Sequence, residues 1–419
     1  MNLMSANGLA LQLTALLEGL SKRGADAEGG VTRLLYDRAW LEAQHYLAER
    51  MKEAGLDIRY DRVGNLYGRL QGSDSDAPVV LTGSHVDTVR SGGYYDGAYG
   101  IAAGIAAISH LRETYGTPLR TLEVVSLCEE EGSRFPITYW GSGHIAGKHD
   151  INLAPDILDE EGISLHAAMS LAGFGRSEQP DPRRADLAAY VEVHIEQGIL
   201  LEKLGQRVGL VDTIVGQRRY SVHLSGVTNH AGTTPMLMRL DALAGAAEML
   251  GLLETEAMVE GEPLVATVGK LETAPNTPNV IPGTVKFTVD IRHDQEKSLT
   301  DFSERMLTRF GQIAARRGLE IEITSWLSAP PTPMDPSLMN RLQTICNNLS
   351  LPSRRMVSGA GHDAQLFAQL CPSAMLFVPS RGGISHSPEE YTPDDELIDG
   401  AAVLAELLRQ LAYDLPEKE

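Results

Sequence analysis

The spacing of apolar and polar residues divides the chain into two kinds of segment. Leucines recur at helical spacing over residues 2–22, and residues 36–54 repeat that period before Gly55, so two amphipathic helices are predicted. DIRYDRVGNLYGRLQG reads as two short strands around Gly64-Asn65. PVVLTGSHVD, RTLEVVSLCEEEG and AAYVEVHIEQG are apolar runs that end in histidine or acid, the pattern of buried strands. GAYGIAAGIAAISHLRETYG is rich in small residues and predicts a helix packed close to its neighbours. Strands alternating with helices indicate an α/β layer with a mostly parallel sheet, and such sheets gather ligands at the carboxyl ends of their strands.

The pattern changes after about residue 213. RRYSVHLSG alternates as a strand and RLDALAGAAEMLGLLETEAM reads as a helix. LVATVGKLET and GTVKFTVDIRH are strands, LTDFSERMLTRFGQIAARRG is a helix, and EIEITSW is a strand. The order βαββαβ is that of a ferredoxin-like unit. The proline-rich LSAPPTPMDP follows, and α/β character then resumes. We therefore expect a larger domain formed by 1–213 and 330–419, with 214–329 inserted into it. The acidic C-terminal tail is expected to be a solvated end.

Charge and cysteine content narrow the classes of function. With 36 Lys+Arg against 56 Asp+Glu the net charge is −20, which disfavours nucleic acid and anionic membrane surfaces as partners. Cys128, Cys346 and Cys371 are odd in number and widely spaced, so a disulfide framework is not expected and a reducing compartment fits. No Lys or Arg precedes Lys22, and no apolar run approaches a membrane span, so a soluble cytoplasmic protein is expected.

Histidines and acids cluster where the strands should end. His85 and Asp87 close PVVLTGSHVD, Asp96 follows in a glycine-rich loop, and Glu129–Glu131 close the next strand. His194 sits in HIEQG, and His386 lies in GGISHSP after the apolar AMLFVPS. Such groups can form a metal site, a proton-transfer site, or ordinary loop polarity, and the glutamate triplet alone reads as a solvated turn. Imidazole with carboxylate suits Zn²⁺ or Mn²⁺. Two ions sharing one bridging carboxylate would use His85, Asp96, Glu131, His194 and His386 together. Asp87 is placed to accept the second ring N–H of His85.

These strings, with NHAGTTP and GAGHDA, resemble the dimetal amidohydrolases of the aminoacylase and carboxypeptidase superfamily. They are most similar to its branch acting on N-carbamoyl groups. GGVTRLLYD, VGNLYGRL and EEEGSRFPITYWGSGHIAG come nearest to the allantoate-hydrolysing members of that branch. The resemblance implies two divalent ions, Mn²⁺ or Zn²⁺, one held by His85, Asp96 and His194 and the other by Asp96, Glu131 and His386. It implies Glu130 as general base and His230 as the donor that stabilises the oxyanion. Arg292 would clamp a substrate carboxylate, with Asn279, Gln217, Arg218, Gln197 and Gly361 as further substrate contacts. Gly97 is expected in a tight peptide turn, with a cis or a trans bond. The inserted domain is implied to act as lid and to form a homodimer. The implied reaction is hydrolysis of a small ureido acid: allantoate to ureidoglycine, ammonia and carbon dioxide, or alternatively an N-carbamoyl-L-amino acid.

Overall fold

The structure, a computed structural model, describes residues 3–414. The C-terminal residues expected to form a solvated tail lie, at 415–419, outside the described residues. The chain divides into two compact units. The larger comprises the residues up to 212, then 334–356, and those from 361 onward; the smaller comprises 213–333 and 357–360. Residues 357–360 were expected with the larger domain. They cluster with the smaller one, where Val215 N donates to Ser358 O (3.0 Å) and Arg292 Nη1 to Gly359 O (2.6 Å).

The larger unit is built on a mixed sheet. Its strands run in the order Asp57–Tyr60, Leu66–Leu70, Leu122–Leu127, Val79–His85, Leu187–Ile195, Ser373–Val378, Val208–Ile214, Thr332–Pro333, with Ser353–Ser358 also paired to Val208–Ile214. The four in the middle are mutually parallel, and the flanking pairs are antiparallel. Val79–His85, Leu122–Leu127 and Ser373–Val378 are buried along their whole length, as continuous apolar runs covered on both faces should be. Helix Ala98–Tyr115 lies against these strands, with Ala98 to Leu111 all buried. Its glycines explain the close approach. A Cβ on Gly100 would stand 2.6 Å from Val193 O and 2.7 Å from Ser84 Cβ, and one on Gly104 would stand 2.8 Å from Val124 Cγ2. The three cysteines are buried free thiols. Among the described residues no helix is long and apolar enough to cross a membrane.

The smaller unit has an antiparallel sheet in the order Leu271–Ala274, Thr284–His293, Gly216–Ser225, Glu320–Ala329. Helices Ala242–Glu260 and Glu296–Arg317 supply its core together with the inward residues Val285, Phe287, Val289 and Ile291. The expected strand LVATVGKLET is two strands, Val265–Thr267 and Leu271–Ala274, both paired to Thr284–His293. Thr267 opposes Asp290 and Leu271 opposes Phe287, so four steps on one strand face three on the other. The extra residue is a bulge between Thr267 and Leu271. A second bulge falls at Trp326, between Ser325 and Leu327.

Candidate active site

The parallel sheet delivers its polar strand ends to one place. His85 is the last residue of its strand, and His194 lies one residue before the end of the adjacent strand, with 5.9 Å between the ring centroids. Asp96 stands between them. Its Oδ1 is 3.3 Å from His85 Nε2 and 3.2 Å from His194 Nε2. Its Oδ2 is 3.3 Å from His386 Nε2, and His386 Nε2 is 3.2 Å from Glu131 Oε1. Two triads therefore share Asp96: His85–Asp96–His194, which is buried, and Asp96–Glu131–His386, which is open to solvent through His386. His85, Glu130 and Glu131 make a third compact grouping at the same spot.

Hydrogen bonds orient these ligands before any ion binds. His85 Nδ1 faces Asp87 O (3.1 Å) and Oδ1 (3.5 Å), and His194 Nδ1 donates to Ile195 O (2.9 Å). Both rings thus turn an unprotonated Nε2 toward Asp96. The Gly97 N–H donating to His194 Nε2 (3.0 Å) fits that tautomer. Two imidazole lone pairs facing one carboxylate oxygen repel it unless positive charge lies between them. Asp87 does more than hold His85. Its carboxylate also accepts the backbone N–H groups of Glu130 and Glu131, each at 3.1 Å. Gly97 achieves its turn with φ +63° rather than a cis bond, the cis bonds of the described residues being Glu262–Pro263 and Ala274–Pro275. A Cβ there would stand 2.4 Å from His85 O.

The local field favours cations. Burial opposes charge on His85, but Asp87 and Asp96 outweigh it and hold the imidazole well above its usual range. His386, hydrogen-bonded to Asp96 and Glu131, is pushed up to about 10. The carboxylates thus favour positive charge at these rings, whether a proton or a bound cation supplies it. The oxygen and imidazole donors, the shared carboxylate and the fixed tautomers fit a pair of divalent ions. Glu130 is half-buried in the same cluster. Its burial first, then Glu131, Asp363 and Asp87, raise its carboxyl well above the ordinary range against the pull of His85.

Several residues of the site carried no sequence signal. Glu390 is buried, and its Oε1 accepts from Tyr95 N (2.9 Å) and Asp96 N (3.1 Å). Ser385 Oγ lies 2.9 Å from both Asp96 Oδ2 and Glu390 Oε2. Burial and then Asp96 raise Glu390 to about 7, so its protonated form can donate to Ser385 while Ser385 donates to Asp96. Glu129, the first of the glutamate triplet, is buried and accepts from Gly132 N (2.6 Å), a loop support rather than a solvated turn residue. Of the expected substrate contacts in this unit, Gln197 donates from Nε2 to Asp96 Oδ2 (2.7 Å) and leaves Oε1 buried without a partner. The Cβ position of Gly361 is filled by the Tyr139 hydroxyl, 2.1 Å away.

The other expected residues belong to the smaller unit. His230 pairs with Val280 in a two-stranded ribbon, and Ala231 N donates to Asn279 O (3.0 Å), so His230 and Asn279 are neighbours; both are exposed. Gly232 N donates to His230 Nδ1 (3.0 Å), which leaves the proton on Nε2 as a free donor. Gln217 opposes Arg292 and Arg219 opposes Asp290, so these four share one face of the sheet. Arg218 opposes Ile291 on the opposite face and is bound to Ala329 O (2.8 Å), Gln217 O (3.1 Å) and Glu296.

Comparison with known proteins places this geometry in context. The family model of peptidase family M20/M25/M40 matches residues 81–410. The chain is 46% identical to the allantoate amidohydrolase of Bacillus subtilis (strain 168) over 96% of its own length and 97% of that protein. It is 37% identical to the N-carbamoyl-L-amino-acid amidohydrolase of Pseudomonas sp. (strain NS671), covering 93% of this chain and 95% of the relative. Among solved structures, a hydantoinase/carbamoylase family amidase from Burkholderia multivorans superposes with a TM-score of 0.92 at 34% identity, over 97% of this chain and 98% of that one.

Proposed function

The chain belongs to peptidase family M20/M25/M40, and from that premise we propose that it hydrolyses allantoate to ureidoglycine, ammonia and carbon dioxide with two divalent ions, Mn²⁺ or Zn²⁺. The observation that carries this reading is the 46% identity to an allantoate amidohydrolase over nearly the whole of both chains. The shared-carboxylate cluster supports it with the chemistry such a reaction needs.

A ureido carbonyl is a weak electrophile because both nitrogens donate into it. Bound ions would supply a water of lowered pKa and a polarised carbonyl at this cluster. Of the chain's own residues, His85, Asp96 and His194 would hold one ion and Asp96, Glu131 and His386 the other. Asp87 sets the His85 tautomer and fixes the backbone of the glutamate pair. Glu130, kept basic by its burial and then by its acidic surroundings, takes the proton from water and returns it to the departing nitrogen. His230 offers its Nε2–H to the oxyanion. Arg292 pairs with the substrate carboxylate, with Asn279, Gln217, Gln197 and the Gly361 backbone as further contacts, while Arg218, expected with them, is held on the other face of the sheet by Ala329 O and Glu296. The smaller unit, residues 214–329 in the sequence reading, serves as lid and forms a homodimer. The exposed Met236, Leu237 and Met238 beside the His230 segment (75%, 101% and 73% exposed) favour such an interface.

Ammonia release by the metal-loaded protein from allantoate, beside a panel of N-carbamoyl-L-amino acids, tests the reading. Turnover of allantoate above the panel is expected. Preference for a carbamoyl amino acid would transfer the activity to that sister class, and turnover of neither would overturn it. Light scattering on the eluting protein should give the mass of two chains.

A further inference from the structure

Arg33, in GGVTRLLYD, is fully buried (0% exposed), and the reaction above makes no use of it. Its guanidinium is bound to main-chain carbonyls. Nε donates to Val86 O (2.7 Å), Nη1 donates to Leu20 O (3.2 Å) and Arg23 O (3.4 Å), and Nη2 is buried without a partner. A charge buried away from any carboxylate contact is costly, and an apolar side chain of similar length would ordinarily serve the fold better. Two features of its surroundings explain it. Arg33 grips the strand exit on both sides of Asp87: its side chain holds Val86 O, its N donates to Thr88 Oγ1 (2.9 Å), and Thr88 N donates to Arg33 O (3.1 Å). Asp87 in turn accepts the Glu130 and Glu131 N–H groups. Acids also surround the guanidinium. Burial lowers Arg33 to about 10 against the opposing pull of Asp87, Asp37, Glu390 and Asp96, so it stays charged at neutral pH. Asp87, Asp96 and Glu390 are themselves buried, and like charges packed together need a cation among them.

We propose that Arg33 is the resident counter-charge of the ion site, a positioning residue whose fixed positive charge holds Asp87, Asp96 and Glu390 together while no divalent ion is bound. The inference rests on the two-ion reading above and deepens it. Bound ions and Arg33 neutralise the same acids, so they repel one another and partly replace one another. Without metal, loss of the charge exposes the mutual repulsion of the acids. With metal, the ions make up for it. By linkage, a substitution that costs the metal-free protein more than the loaded one must tighten ion binding. A guanidinium that merely pinned Val86 O would give weaker binding or no change.

The test compares Arg33→Met, which fills the space without charge, with Arg33→Lys, which keeps the charge and gives up the fork. Without metal, Arg33→Met should lower the melting temperature by about 8 °C and Arg33→Lys by about 3 °C. In saturating Mn²⁺ the two variants should melt within about 1 °C of each other. Chelator competition should show Mn²⁺ bound about tenfold more tightly by Arg33→Met than by Arg33→Lys. Equal affinities, or the same difference in melting temperature with and without Mn²⁺, would overturn the counter-charge. If Arg33→Met does not fold without metal, circular dichroism during Mn²⁺ titration takes the place of the melt: folding as Mn²⁺ is added is expected, and failure to fold at saturating Mn²⁺ would overturn the inference. If the unsubstituted protein binds no Mn²⁺, the two-ion reading fails and the metal-free melts decide alone. Arg33→Met melting below Arg33→Lys then upholds the counter-charge, and equal or higher melting overturns it.

Discussion

The two units treat their chemistry-bearing residues in opposite ways. In the larger unit His85, Asp87, Asp96 and His194 are 4% exposed or less and are hydrogen-bonded into place by their own fold. In the smaller unit His230 and Asn279 are exposed on a two-stranded ribbon, and Arg219 and Arg292 line an open cavity. A buried polar group must be satisfied before any ligand arrives, so the first set is pre-organised by necessity. An exposed donor is hydrated, and it gains strength only when a substrate or partner excludes water. In the proposed reaction, ion holding and proton transfer would fall to the larger unit and most substrate contacts to the smaller one.

Substitutions can break that division. Glu130→Gln should lower kcat about a thousandfold while leaving bound metal unchanged, as measured by steady-state kinetics and elemental analysis; a loss of metal instead would make Glu130 a ligand. His230→Ala should cost about a hundredfold in kcat with neither metal content nor melting temperature altered. Were its metal content to fall as well, the two units would not be separable in this way.

Two further changes sharpen the picture within the larger unit. Gly100→Val should destabilise it by about 1–3 kcal/mol, because the new side chain meets Val193 O and Ser84 with no room to yield. Denaturant melts would show this, and an unaltered midpoint would mean the helix can shift. Glu390→Gln should weaken metal binding about tenfold in a chelator competition, since Glu390 holds the Asp96 backbone and Ser385.

The smallest expected effect is a pH dependence away from the ions. His144 sits edge-on against Trp140, with ring centroids 4.2 Å apart, and burial, then His149, lower it to about 4. Its folded value lies below the unfolded one of about 6.5, so the neutral ring's contribution is complete above pH 6.5 and is lost as pH falls toward 4. His144→Gln should flatten acid destabilisation in that window by roughly 1–2 kcal/mol; identical pH–stability curves for the two proteins would count against it.

What the chain alone determined is set by local rules. Apolar runs ending in polar groups place His85, the Glu129–Glu131 triplet and His194 at strand ends, and the βαββαβ order marks the second unit. Both follow from side-chain periodicity, which needs no long-range information. The family strings added roles for Glu130, Glu131 and His386 because those residues stand in short contiguous stretches.

Tertiary structure decided what depends on register and on distant segments meeting. Glu390 supports Asp96 across 294 residues of chain, and nothing in PEEY signals it. Glu129 reads as a turn residue until its burial is seen. Arg218 and Arg219 are adjacent and chemically alike in the sequence. Only pairing with Thr284–His293 puts Arg219 on the face of Arg292, because successive strand residues point to opposite sides and a shift of one exchanges them. The two bulges of that sheet likewise exist only as mismatches between paired strands, a property that no single strand carries.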